Sequence, residues 1–207
     1  MTGAVLTGDI VNFTSLGVLS QKKLIADLSG LMHSHKFDFY RGDSFNAYIR
    51  NPGDALRLAL QLRAWTRRLI RSASGPEADI RISIGIGEVE SPVRTLRTAT
   101  GEAFNLSGRN FNSMLKSEER LIMVSGDQAL NPLLKVMALF IDYLLNRLTA
   151  KQAEVVFELS NHRTQTEVAE RLHKSQATVN QHVQSGGWHE LEILLNEYES
   201  LTFLNRP

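Results

Sequence analysis

The chain of 207 residues contains no cysteine. That excludes disulfides, thiolate metal centres and cysteine nucleophiles. No stretch approaches the roughly 20 apolar residues that span a bilayer. The N-terminal run Met1-Thr2-Gly3-Ala4-Val5-Leu6-Thr7-Gly8-Asp9 has no basic segment and meets a charge at once, so it is not a signal peptide. The expectation is a soluble cytoplasmic protein with no membrane partner. There is no large excess of either charge: the net is +1. Residues 1–148 carry 18 Lys+Arg against 14 Asp+Glu, and residues 149–207 carry 5 against 8. The C-terminal part is thus acidic, which weakens a simple electrostatic case for nucleic acid there. Repeats, low-complexity segments and long linkers are also lacking.

What is present is globular in composition, 43% hydrophobic and 22% charged, and long enough for one ordinary domain and a small one. Residues 4–11 read as a buried strand with a turn near Asn12. Residues 21–32 have helical spacing, with Leu24, Ile25, Leu28 and Leu31 on one face. Residues 36–40 and 44–50 form a hairpin through Arg41-Gly42-Asp43. Pro52 opens a helix to about Ser72, with Leu58, Ala59, Leu62, Trp65 and Leu69 on its core face. Arg63, Arg67, Arg68 and Arg71 are expected on its solvated face. After the Gly75-Pro76 break, residues 79–89 alternate strictly as a strand, residues 102–115 form a helix and residues 120–124 a last short strand. The order β-α-β-β-α-β-α-β predicts an α+β, ferredoxin-like sandwich over 1–130, with helices on one face of the sheet. Residues 131–207 are expected to be all helical, packed onto it through an apolar helix at 133–148.

Two aspartates invite a chemical reading. Asp9 lies near the end of the first strand and Asp43 at the hairpin tip. Two carboxylates at neighbouring strand ends suit Mg²⁺ or Mn²⁺, which take hard oxygen ligands and keep positions for water and phosphate. Alone, such a pair is more often turn or cap residues. Arg41-Gly42-Asp43 also spells an adhesion tripeptide, and Asn12-Phe13-Thr14 and Asn105-Leu106-Ser107 are glycosylation sequons, all without a secretory context.

The surrounding motifs resemble those of class III nucleotidyl cyclases. Asp9-Ile10-Val11-Asn12-Phe13-Thr14-Ser15-Leu16 resembles the family's first-strand motif Asp-Ile-x-Gly-Phe-Thr-x-Leu. Gly42-Asp43 matches its second metal aspartate, and the helix from Ala55 resembles the one that follows. Arg81-Ile82-Ser83-Ile84-Gly85-Ile86-Gly87 resembles its Arg-Ile-Gly-Ile-His-x-Gly strand, and Gly101 through Asn105 to Arg109 its Gly-x-x-Val-Asn-x-Ala-x-Arg. Arg41-Gly42-Asp43-Ser44-Phe45 is also similar to the SatD group of cyclase-like proteins. The resemblance implies that Asp9 and Asp43, assisted by the Ile10 carbonyl, bind two metal ions, and that backbone N–H groups at Phe13 and Thr14 cradle phosphate. It implies that Asn105 orients a ribose and Arg109 stabilises the transferring phosphoryl group, across a homodimer. Read from the residues alone, Arg109 is equally a surface helix residue and Asn105 a helix-start residue.

The departures are specific. The base-reading Lys or Glu of purine cyclases is replaced by Phe39, which stacks on a base or packs in the core. The partner specificity position is Thr98, the first-motif Gly is Asn12, and the family's last strands have no counterpart.

The tail carries a second motif. Thr164 to Val183 has the spacing of a helix-turn-helix, with Thr164 and Ser175 as caps and Val168, Ala169, Leu172, Val179 and Val183 as core. With the segment from Leu148 it resembles LuxR-type and sigma-region-4-type modules, over about 148–186. The second helix would present Gln176, Ala177, Asn180, Gln181 and Gln184 to bases, with Thr164, Thr178, Lys174, Arg163 and Arg171 near phosphates. A helical packing module is the plainer alternative. Trp188, Leu191, Leu194, Leu195, Tyr198 and Leu201 form an apolar stripe read as internal packing.

Three functions are carried forward. The first is a DNA-binding transcriptional regulator, dimeric on double-stranded DNA, whose cyclase-like domain binds a metal and a nucleoside triphosphate or other nucleotide. The others are a nucleotidyl cyclase and an inactive dimerisation scaffold.

Overall fold

The computed structural model describes residues 1–40, 42–69, 78–90 and 92–204. The elements are β1 (Thr2–Val11), α1 (Val18–Met32), β2 (Lys36–Tyr40), β3 (Ser44–Ile49), α2 (Asp54–Arg67), β4 (Asp79–Glu88), α3 (Glu102–Met114) and β5 (Leu121–Ser125), then α4 (Asn131–Arg147), α5 (Ala150–Ser160), α6 (Gln165–Arg171), α7 (Gln176–Ser185) and α8 (Trp188–Leu204). Short 3₁₀ turns occupy Phe13–Ser15 and Leu96–Thr98.

The five strands lie in the order β2-β3-β1-β4-β5. β1 is antiparallel to both β3 and β4, while β5 runs parallel to β4. The first four strands, with α1 and α2 as crossovers, make the expected ferredoxin-like α+β unit, and α3 carries the chain to a fifth, edge strand.

Side-chain alternation assigns the faces. Leu6, Phe45, Ala47, Ile82, Ile84, Leu121 and Met123 share one face and one core cluster with α1, α2 and α4. Gly85 points the other way, where a Cβ would lie 2.3 Å from the Ala103 carbonyl and 2.5 Å from the Ser107 nitrogen. α3 therefore sits on the opposite face, close enough to require glycine beneath it. This corrects the expectation of helices on one face only. Thr7 and Ser107 share a buried hydrogen bond there.

α2 also departs from expectation. It ends at Arg67, and Leu69, expected in the core, is 37% exposed. Arg63 and Arg67 are buried, not solvated. Arg63 donates to Asp79 from Nε and Nη2 (3.2 and 2.9 Å), to Asp142 (2.7 Å) and to Asn146 (2.8 Å). Arg67 donates to Asp79 (3.1 Å) and to the carbonyls of Asn146 and Leu148. Arg68 stacks 3.0 Å from the centre of the Trp65 ring. Arg71, Ser72 and the Gly75-Pro76 break lie outside the described residues, as does Arg41.

The tail packs on α2 through Trp65 against Phe157, at 4.8 Å between centroids, and Gln61 donates to the Ser160 carbonyl. Its buried residues Val155, Val156, Val168, Val179, Val183, Trp188, Leu191 and Tyr198 join the same core cluster as the sheet. Among the described residues no helix is long and apolar enough to cross a membrane.

Candidate functional site

The two aspartates meet. Asp9 pairs with Ser44 in the β1–β3 register, and the Ile10 N–H donates to the Asp43 carbonyl (3.1 Å). Gly42, at φ +87°, makes the hairpin turn that brings Asp43 there. Asn12 stands where the resembling motif has glycine, and it takes the same left-handed backbone, φ 58° and ψ 22°. Asparagine is among the few L residues that accept it readily, so the turn survives the substitution. The 3₁₀ turn Phe13–Ser15 follows, tied by Gln21 donating to the carbonyls of Phe13 and Leu16. The first N–H groups of this turn, at Phe13 and Thr14, precede its first internal bond, from Ser15 N to the Asn12 carbonyl.

One residue changes the chemistry of the corner. Arg81 is the cross-strand partner of Asp9 on β4, so both side chains emerge on the same face. Its Nε and Nη2 donate to the two oxygens of Asp9, at 2.8 and 2.5 Å. The pair is bidentate and only partly exposed. The Asp9 hydrogen bond raises the Arg81 pKa; burial works against this, and the charges of Asp9 and Asp43 add to the rise. Arg81 thus lies within the field of both carboxylates. Asp43 itself accepts from the Ser44 hydroxyl (3.3 Å). Among the described residues no three His, Asp or Glu side chains converge to hold a metal ion. A divalent ion needs carboxylate oxygens that are free to point at it, and both oxygens of Asp9 already hold a guanidinium. As arranged, the set does not fit a resident Mg²⁺ or Mn²⁺.

The other expected site residues are dispersed. Phe39 is the cross-strand partner of Phe45 and packs against it at 5.6 Å, behind the sheet from Asp9. Stacking on a base held at the Asp9 side is therefore excluded for Phe39 within one chain. Thr98 is exposed at the end of its 3₁₀ turn, hydrogen-bonded to Thr95. Asn105 and Arg109 share the outer side of α3 and are exposed, whereas Ala103, Ser107, Phe111 and Met114 face inward. A cavity of about 680 Å³ opens at the other end of β1 beside Met1, His35, Arg50 and Asp54, away from Asp9 and Asp43.

In the tail, α5, α6 and α7 form a compact three-helix unit. Thr164 and Glu167 make a reciprocal capping box at the start of α6, and Ser175 caps α7 through the Thr178 N–H. The connection between them uses His173 at φ 52°, with Lys174 N donating to the Ala169 carbonyl. Val168, Ala169, Val179 and Val183 are buried between the helices. Gln176, Ala177, Asn180, Gln181 and Gln184 are all exposed on α7, and Thr178 is half-buried. The expected phosphate contacts fare differently. Lys174 is paired with Glu154 (2.8 Å), and Arg163 and Arg171 with Glu158 (2.7 and 3.0 Å). These three basic residues are held by the unit's own acids, an arrangement a charge count alone does not reveal.

No family model matches the chain, and no curated protein matches it. Solved structures do. A bacterial light-regulated adenylyl cyclase matches at 18% identity and a TM-score of 0.46, over 59% of this chain and 74% of that one. In another structure of such an enzyme the match spans 43% of its length. The GGEEF domain of a diguanylate cyclase from Vibrio cholerae matches at 14% identity and a TM-score of 0.45, over 62% of this chain and 85% of that one. A guanylyl cyclase domain from Blastocladiella emersonii matches at 18% identity and 0.40, over 52% and 71%. The likeness is distant and is one of fold.

Proposed function

We propose that this protein is a DNA-binding regulator. In this reading α6 and α7 are a helix-turn-helix, α7 enters the major groove, and the cyclase-like domain receives a nucleotide signal. The observation that carries it is the outer face of α7. Five adjacent positions there bear neutral side chains that are all exposed. Gln and Asn can bond the N6/N7 edge of adenine in bidentate fashion, and Ala177 can meet a thymine methyl. Helix caps at Thr164 and Ser175 fix the two helices, and a dimer would read two half-sites.

The paired basic residues add a quantitative expectation. Affinity for DNA falls with salt in proportion to the phosphates neutralised, with a slope of about −0.9 per contact. With Lys174, Arg163 and Arg171 engaged by Glu154 and Glu158, the slope per half-site should be shallow, and specificity should rest on base contacts.

Selection from a random duplex pool with the full chain tests this. One sequence class should be enriched, and Asn180→Ala or Gln176→Ala should each weaken binding to it roughly 5- to 150-fold, the equivalent of one bidentate base contact. Enrichment of no sequence at low salt would sink the proposal.

The cyclase reading is supported less. Arg81 holds the carboxylate on which it depends, and Phe39 lies behind the sheet. Asn105 and Arg109 are exposed on the outer side of α3. No catalytic step is therefore assigned.

A further inference from the structure

Helix α4 is apolar on two sides. Leu134, Met137, Ala138, Ile141 and Leu145 are buried in the core. On the outside, Leu133, Val136, Leu139, Phe140 and Tyr143 are 45–59% exposed. Helices at the surface of monomers normally turn a polar face outward. Scattered exposed apolar residues are ordinary, whereas a contiguous patch marks an interaction surface. From this outer stripe we infer that α4 is the seam of a homodimer, in which two copies pack α4 against α4 in antiparallel orientation.

Three observations favour a second copy as the occupant. The first is the spacing. Leu133, Val136, Phe140 and Tyr143 follow the 3-4-3 rhythm of a coiled-coil seam, and that rhythm is symmetric about Ala138. An antiparallel two-fold about Ala138 sets Leu133 of one copy against Tyr143 of the other, and Val136 against Phe140. Each smaller side chain meets a larger one, and the surface is self-complementary, as a two-fold interface requires. Leu139 extends the stripe toward the open edge of β5, where Ile122, Val124 and Ala138 border a recess of about 290 Å³.

The second is charge. The exposed charged residues of α4 are Lys135 and Arg147, because Asp142 is turned inward to Arg63. A parallel pairing sets each cation beside its own copy. The antiparallel one keeps the two Lys135 side chains about 9 Å apart along the axis, at 1.5 Å per residue. Arg147 lies 5.2 Å from the Tyr143 ring of its own chain, so its charge rests over an aromatic face.

The third is area. The five partly exposed side chains offer on the order of 500 Å² per copy, so two copies bury roughly 1,000 Å², the lower bound for a specific interface. The inference does not depend on the DNA reading, because it concerns only the state of the free protein.

Sedimentation equilibrium of the full chain tests it. The expected mass is twice the 23.2 kDa of one chain. Phe140→Glu should raise the dissociation constant at least about 30-fold, the loss carried by a central interface residue. Ile193→Glu, at an exposed apolar position on α8, should leave the mass unchanged. Because the chain has no cysteine, orientation can be read by oxidation of single-cysteine variants. Val136→Cys mixed with Phe140→Cys should form the mixed cross-link, and Leu133→Cys, about 15 Å from its own copy along the axis, should not cross-link to itself. A monomer at all concentrations, a dimer indifferent to Phe140→Glu while sensitive to Ile193→Glu, or self-cross-linking of Leu133→Cys in place of the mixed cross-link would each overturn the proposal. The first outcome is also what an α4 reserved for a different protein would give.

Discussion

Replacing Asp79 by asparagine removes the charge at the centre of the buried network. Asp79 accepts four hydrogen bonds, from Arg63 Nε and Nη2, Arg67 Nη1 and the Ile80 N–H. Arg63 is fully buried and Arg67 is 3% exposed. In the variant two guanidinium groups face the single remaining carboxylate of Asp142, which Arg63 alone contacts, with Arg63 cut off from water and Arg67 nearly so. Breaking a buried pair by removing one partner typically costs about 3–5 kcal/mol. Domains are stable by only about 5–15 kcal/mol, so the variant should lose from about a fifth to nearly all of its stability. With a urea dependence of about 2–3 kcal/mol/M, the midpoint should fall by roughly 1–2 M. Trp65 on α2 and Trp188 on α8 report both ends of the core by fluorescence, and far-UV circular dichroism reports the whole. Asp38→Asn, which breaks the exposed pair with Arg97, is the control and should leave the midpoint in place. A loss below about 1 kcal/mol for Asp79→Asn would refute the reasoning, since it would mean that water or another acid reaches the two arginines.

The same residue gives a pH dependence. Burial pushes the Asp79 carboxyl up, but Arg63, Arg67 and the Ile80 N–H outweigh it and hold the group below the usual carboxylate range. A depressed folded-state pKa contributes stability that is complete above the unfolded value of about 4 and is lost as pH falls below it; acid titration of the urea midpoint should show this decline, and Asp79→Asn should flatten it. Arg81→Met should let the Asp9/Asp43 corner bind Mn²⁺ at least roughly tenfold more tightly than the parent by calorimetry, since freeing a carboxylate oxygen restores a hard ligand; equal affinities would show that Arg81 is no barrier. Gly85→Ala puts a methyl against the backbone of α3 and should cost about 1–3 kcal/mol or more in urea unfolding, as overpacking does. Tyr198 is fully buried and its hydroxyl has no hydrogen-bond partner among the described residues, so Tyr198→Phe should raise the melting temperature or leave it unchanged; a clear drop would mean that the hydroxyl is satisfied by a buried water or another group.

The succession of strands and helices along the chain and the caps of α6 and α7 were legible because their signals are local. Alternating isoleucines on β4, glycine at the hairpin tip, and Thr164 and Ser175 before α6 and α7 act within a few residues. The pairing of Asp9 with Arg81 was not legible, because it depends on register between strands 72 residues apart. Arg81 sat inside a quoted motif without a role until Asp9 was placed opposite it. For Phe39 the sequence left stacking on a base and packing in the core both open, and only its pairing with Phe45 shows which face it takes. Asn12 illustrates the reverse. It departs from the glycine of the resembling motif, yet asparagine keeps the left-handed backbone that the turn needs.

The misplaced arginines have a deeper cause in the position of α2. Its apolar residues were read as one stripe, which implies one buried face and a solvated back. Leu56 and Leu60 are as buried as Leu58, Ala59 and Leu62, and a helix apolar nearly all round is an interior helix. α2 has the sheet on one side and α5 on the other, so cations on its remaining flank have no water to meet and must find acids. Asp79 comes from β4 and Asp142 from α4, and Asp142 also accepts the Arg120 N–H just before β5. The charges of α2 therefore join the sheet to the first helix of the tail, while its aromatic end joins the sheet to α5 through Trp65 and Phe157. By this geometry the strand that carries Arg81, the partner of Asp9, also carries Asp79, which is tied through Arg63 to Asp142 on α4.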